Sequence, residues 1–166
     1  MGTIRSNQFV LIKWDWDGNL FWNKSFTCIH DCAWSDFWRM KLVVDNNGGI
    51  YILGADILVK CNTEGNQLWN YTWPREGYLS MGNLAIDQEG NIFMVPLRWN
   101  WINLEHQLIL MKLDGEKGTP IWNYTSEYQI YEPQIQLDSR GFVYTLGWQP
   151  GLDPNITRIF GVGMRI

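Results

Sequence analysis

One phrase is written three times along this chain: KWDWDGNLFWNKS from Lys13, KCNTEGNQLWNYT from Lys60 and KLDGEKGTPIWNYT from Lys112. A second phrase alternates with it, as KLVVDNNGGIYILG from Lys41, NLAIDQEGNIFMVP from Asn83 and IQLDSRGFVYTLG from Ile135. The recurrence of Lys13, Lys60 and Lys112, and of Trp22, Trp69 and Trp122, sets a period of about 50 residues. Self-similarity at that length marks an array of small units, none of which can bury its apolar face alone. The repeat therefore constrains the architecture before any single residue does.

Each phrase reads as strand, turn, strand. Asp45, Asp87 and Asp138 stand three residues before Gly48, Gly90 and Gly141, the first and fourth positions of a type I turn. The carboxylate can cap backbone N–H groups inside such a turn, and glycine takes the positive φ of a bulged hairpin. The runs Leu42–Val44, Ile50–Leu53, Leu84–Ile86, Ile92–Val95 and Phe142–Leu146 are short and rich in β-branched and aromatic residues. That pattern favours strands, and no stretch shows a helical stripe. The chain reads as all-β. Two hairpins per repeat give a four-stranded antiparallel meander, the size of one propeller blade.

The pattern of Lys, strand end, Gly and Trp in KLDGEKGTPIW, with Asp, Gly, Asn, Ile and an aromatic in DQEGNIF, resembles the β-propeller repeats of the PQQ-like or bacterial SBBP-like type. The resemblance covers roughly residues 9–146 and implies a propeller architecture without implying an activity. It also implies that Trp22, Trp69 and Trp122 dock between neighbouring blades.

Counting strands gives about three blades in a single domain over residues 1–166. Blades at 40–73 and 83–125 are complete. Residues 9–25 supply only an outer pair of strands. Residues 133–166 supply an inner pair and a last segment, IFGVGMRI, whose Arg165 aligns with Lys112. Closed propellers have about four to eight blades, so three cannot shut a ring. The two orphan pairs are complementary halves of a blade. The expectation is a head-to-tail homo-oligomer, a dimer of six blades, with membership of a longer propeller as the rival reading.

Strand order also sorts the loops. The turns within hairpins (DWDG, NTEG, DGEKG, DNNG, DQEG, DSRG) share one face and are short. The loops that join hairpins fall on the other face, at 26–39, 73–82, 96–107, 126–132 and 147–157. They are longer and unlike one another, and variable loops on a rigid scaffold are where binding residues gather. They bring Trp34, Trp38, Arg39, Trp73, Arg75, Trp99, Trp101 and Trp148 to that face, leaving Trp14 and Trp16 for the opposite one. Trp and Arg are enriched at interface hot spots, so these eight residues are the candidate ligand or partner contacts. Burial of the same rings by self-packing or at a subunit seam is the competing structural reading. The sequons at Asn23, Asn70, Asn123 and Asn155 are candidate glycosylation sites, the first three at equivalent outer-strand positions.

Composition narrows the function further. Apolar residues make up 46% and charged residues 18%, which suits a packed core. Thirteen basic against seventeen acidic residues leave a net charge of −4 with no cationic cluster, so nucleic acid and anionic membrane surfaces are not expected partners. No run of roughly 18 apolar residues is present to span a membrane. No signal peptide is visible at the N-terminus, so the chain reads as soluble, with an extracellular location if it is a mature or excised portion. Cys28, Cys32 and Cys61, with His30 and His106, lack the spacing of a zinc site, and no metal or cofactor is expected.

No nucleophile–base set, phosphate-cradling loop or HExxH pattern is present, so no catalytic residue is assigned. The expected function is a non-enzymatic structural or interaction propeller that assembles with itself and presents its aromatic face to a protein. A carbohydrate-binding propeller is the alternative. A fragment of a quinoprotein-type enzyme comes third, because the resemblance implies an eight-bladed ring holding a calcium-bound quinone and this chain is too short for it.

Overall fold

The computed structural model describes residues 8–27, 40–54, 57–73, 78–79, 82–100, 105–126, 130–148 and 164–165. Every element among them is a strand. The chain divides into two compact units, Met1–Thr72 and Trp73–Ile166.

In the first unit, β1 (Gln8–Trp14) and β2 (Leu20–Thr27) form an antiparallel pair. β3 (Lys41–Val44), β4 (Ile50–Leu53), β5 (Ile57–Cys61) and β6 (Gln67–Thr72) follow as a four-stranded antiparallel sheet in sequential order. Alternation does the packing: Phe9, Leu11 and Phe26 from one side of the pair meet Ile50, Ile52, Ile57, Val59 and Cys61 from the sheet. The Phe9 and Phe26 rings stack with centroids 5.3 Å apart.

In the second unit, β7 (Tyr78–Leu79), β8 (Leu84–Ile86), β9 (Ile92–Met94), β10 (Leu97–Asn100), β11 (Glu105–Leu113) and β12 (Pro120–Thr125) share one sheet. Within it β8, β9, β11 and β12 repeat the four-stranded antiparallel meander. β13 (Tyr131–Leu137), β14 (Phe142–Trp148) and β15 (Met164–Arg165) complete the unit as a three-stranded sheet. Phe93, Val95, Leu108 and Leu110 pack against Ile130, Ile135 and Val143.

Two expectations are corrected here. Residues 96–107 are not simply a loop. β11 runs nine residues, pairing with β9 and β12 through its second half and with β10 through its first, and β7 adds to β10. The described parts of these joining segments, β7, β10 and the first half of β11, thus pair their backbone groups as a ribbon. Second, Arg165 stands opposite Phe142, whereas Lys112 stands opposite Phe93, whose counterpart in the last repeat is Tyr144. Arg165 is therefore two residues out of step with Lys112.

The turns inside the six repeated phrases share one plan, with one variation. The side-chain oxygen of Asp45 accepts from the N–H groups of Asn47 and Gly49 at 2.8 Å each. Asp87 takes Glu89 and Asn91, Asp138 takes Arg140 and Phe142, and Asp15 takes Asp17 and Asn19. Asn62 does the same with Glu64 and Asn66, while Asp114, in a turn one residue longer, accepts from Glu116 and Lys117. Gly18, Gly48, Gly65, Gly90, Gly118 and Gly141 close them with φ between 68° and 85°, a conformation that costs a non-glycine residue roughly 1–2 kcal/mol.

Candidate functional site

The recurring Lys has a structural partner set that its sequence position only hints at. Lys60 on β5 stands between Tyr51 on β4 and Trp69 on β6, and Lys112 on β11 stands between Phe93 on β9 and Trp122 on β12. The Lys60 ammonium lies 5.1 Å from the Tyr51 ring centre and that of Lys112 lies 5.0 Å from Phe93. Each outer Trp meets the inner ring edge-on, Tyr51 to Trp69 at 6.3 Å and Phe93 to Trp122 at 6.0 Å. Cation–π contacts of this kind contribute about 0.5–2 kcal/mol, more as they are desolvated. The turn carboxylate joins the row: Tyr51 donates to Asp45 at 3.0 Å, and Lys112 pairs with Asp87 at 3.7 Å.

Trp22, Trp69 and Trp122 are each half-buried. Trp22 packs against the core shared by the β1–β2 pair and the next sheet, and its ring lies over Gly65, where an added Cβ would come within 2.7 Å of Cη2. Its Nε1 is buried without an acceptor among the described residues, so the indole contributes through its ring and not through a hydrogen bond. Removing that bulk is worth about 3–5 kcal/mol. Trp122 packs against the core between its own sheet and β13–β14.

The same row is split at the two unfinished repeats. Lys13 faces Trp22 but has no inner strand beside it among the described residues; it lies over Phe21 and Trp22 and donates to the Thr63 carbonyl at 3.2 Å. Tyr144, the counterpart of Tyr51, donates to Asp138 at 3.2 Å, and Arg140 covers that carboxylate at 3.0 Å.

Apolar side chains lie open around the split. Val10, Ile12 and Trp14 on β1 are 55%, 44% and 57% exposed, while their counterparts Ile57, Val59 and Cys61 on β5 are 4%, 0% and 0% exposed. Leu42 and Val44 on β3 are exposed at 57% and 58%. Tyr144 and Leu146 on β14 are 40% and 44% exposed, against 0% and 3% for Tyr51 and Leu53. Superposing the repeats in the sequence would have found these positions, because each is apolar in every copy.

Of the eight loop-face candidates, Trp34, Trp38, Arg39, Arg75 and Trp101 lie outside the described residues. So do Asn155, Cys28, Cys32 and His30. Trp73 is buried at 4% exposure and is no open platform. Trp99 lies on β10, its backbone opposite His106 on β11. Trp148 ends β14 half-exposed, its ring 5.3 Å from Tyr131. Next to that pair, Glu132 holds a φ of 50°, the one non-glycine positive φ among the described residues, where the register of β13 slips against β14. Trp16, in the DWDG turn, is fully exposed. Asn23, Asn70 and Asn123 are exposed on β2, β6 and β12.

Titration behaviour follows from this packing. Hydrogen bonds from the Asn19 side chain and turn backbone hold the Asp15 carboxyl below its usual range, and those of the Phe142 and Arg140 N–H groups do so for Asp138. Their contribution is present above the ordinary carboxylate range and is lost as pH falls. Burial pushes the Cys61 thiol up to about 11, and burial with the Asp45 hydrogen bond raises Tyr51 further still. An unfolded thiol ionises near about 8.5 and an unfolded phenol near about 10. The sign is fixed: stability from both groups is complete below about 8.5 and declines as pH climbs toward and past 11. Melting temperature is expected to fall in two steps above about pH 8.5, and Cys61→Ala is expected to remove the first step while leaving the second. An unchanged first step would show that Cys61 is not the group responsible.

No protein-family profile matches the chain, and no curated protein does. Among solved structures, the chain is similar to the crystal structure of a protein of unknown function from Bacteroides caccae, with a TM-score of 0.53 at 12% identity. The match covers 97% of this chain and 59% of that one, so this chain spans less than two thirds of its neighbour's length. The likeness concerns the fold.

Proposed function

We propose that the chain is a non-enzymatic β-propeller module that shuts its ring by exchanging half-blades with a second copy. It presents its hairpin-joining loops to a protein partner. The observation that carries the reading is the contrast on one strand type: Ile57, Val59 and Cys61 are at most 4% exposed where a neighbouring pair covers them, and Val10, Ile12 and Trp14 are 44–57% exposed where none does. Contiguous exposed apolar surface of this kind marks an interaction site. Three blades in each of two chains give six, within the range of closed rings.

A second reading, carbohydrate binding by the loop face, has one specific support. Trp148 offers a half-exposed indole backed by Tyr131, the arrangement on which a sugar face stacks, beside the strained backbone of Glu132. A glycan array separates the two. The protein-interaction reading expects no retained glycan. A glycan signal lost on Trp148→Ala would establish the lectin reading instead.

A further inference from the structure

We infer that β1 of one copy adds to the edge of β14 of another in a defined antiparallel register, with Tyr144 opposite Lys13, Thr145 opposite Ile12 and Leu146 opposite Leu11. The inference rests on the half-blade exchange proposed above and names its partner: a second copy of this chain, bound edge to edge.

The register is set by the two complete repeats. On β4 and β5, Tyr51 faces Lys60, Ile52 faces Val59 and Leu53 faces Leu58. On β9 and β11, Phe93 faces Lys112 and Met94 faces Met111. The aromatic–Lys–Trp row is thus complete twice and divided once, with Tyr144 at one end of the chain and Lys13 and Trp22 at the other. Joining the halves across two copies restores the third row, placing the Lys13 ammonium over Tyr144 as Lys60 lies over Tyr51.

The join displaces one described element and is supported by two other features. Among the described residues β15 holds the same edge of β14 at Phe142 and Val143, and it gives way to β1 in the join, where Trp14 comes opposite Val143 as Cys61 stands opposite Ile50. Tyr144 and Leu146 then cover Leu42 and Val44 of the partner copy, where an inner pair of strands is missing. Trp22 rests on the turn glycine Gly65 of the following sheet, whereas Gly18, the same position in the first repeat, has nothing within 4 Å of an added Cβ and is the place for Trp122 of the other copy. A chain pairing with its own opposite end would close three blades, fewer than a ring needs.

The test is a disulfide across the join. In a Cys28→Ser, Cys32→Ser background, Lys13→Cys with Tyr144→Cys is oxidised with glutathione disulfide and run without reductant. Directly opposed residues on antiparallel strands lie about 4.5–5.5 Å apart at Cα, within the roughly 4.4–6.8 Å a disulfide spans. The expected result is a covalent dimer of twice 19.5 kDa from the double variant, and none from either single variant or from Lys13→Cys with Leu146→Cys. Both tested side chains are exposed in the single chain, so folding is not at stake. A dimer in solution that cross-links out of register, or not at all, overturns the register and leaves the exchange standing. A monomer that does not cross-link overturns both.

Discussion

Gly115→Ala is expected to cost about 3 kcal/mol or more, at or above the upper end of what overpacking costs. For a chain of this length that corresponds to a fall in Tm of roughly 6–12 °C. A Cβ on Gly115 would overlap the carbonyl oxygen of Gly90, backbone against backbone, where the β8–β9 and β11–β12 turns press together. Gly90 cannot step aside cheaply, because its φ of 85° and its N–H bond to the Asp87 carbonyl at 3.1 Å belong to the turn. Gly141→Ala is the control. Its φ is 85° with nothing within 4 Å of an added Cβ, so it isolates the conformational penalty of roughly 1–2 kcal/mol. Denaturant melts of the two variants read the difference. Equal losses would mean that the two turns do not meet as described.

The second large effect falls on assembly and spares the isolated chain. Leu42→Glu and Leu146→Glu each place a carboxylate at a position exposed in a single copy, 57% and 44%, and covered in the joined one. An unpaired charge at such a buried seam costs about 3–5 kcal/mol. A head-to-tail dimer carries the seam twice, so either substitution strikes both joins. With both joins struck, association is expected to weaken by about ten-thousandfold or more, each factor of ten being about 1.4 kcal/mol. The far-side substitution Gln88→Glu, in an exposed hairpin turn, is expected to leave it unchanged. Sedimentation at matched concentrations reads the shift, and no change on Leu42→Glu would place the seam elsewhere.

The fold was legible where the physics is local. Asp45, Asp87 and Asp138 announce their turns because the capping carboxylate and the positive-φ glycine lie within four residues of each other. Asp15 and Asn62 cap in the same way, a signal that only the spacing to the following Gly carried, and Asp114 caps a turn one residue longer. The ribbon of β7, β10 and β11 was not legible. Glu105, His106 and Gln107 are polar and carry no strand alternation, and they become strand through pairing with residues 97–100. The closeness of Gly115 to Gly90 is equally non-local. Lys60 and Lys112 looked like strand ends in the sequence, and their place between two rings appears only when three strands are set side by side. At the candidate site, Trp148 could be read as an exposed loop aromatic, but Trp73 could not be told from it, since burial depends on what else covers the ring. The open faces of β1, β3 and β14 follow from strand bookkeeping, and their residues follow from aligning the repeats.

The central claim is that the unfinished repeats are completed by a second copy. Solution mass, by light scattering or native mass spectrometry at micromolar concentration, tests it most directly. The account predicts a discrete species of twice 19.5 kDa, and a well-folded, non-aggregating species of 19.5 kDa would contradict it.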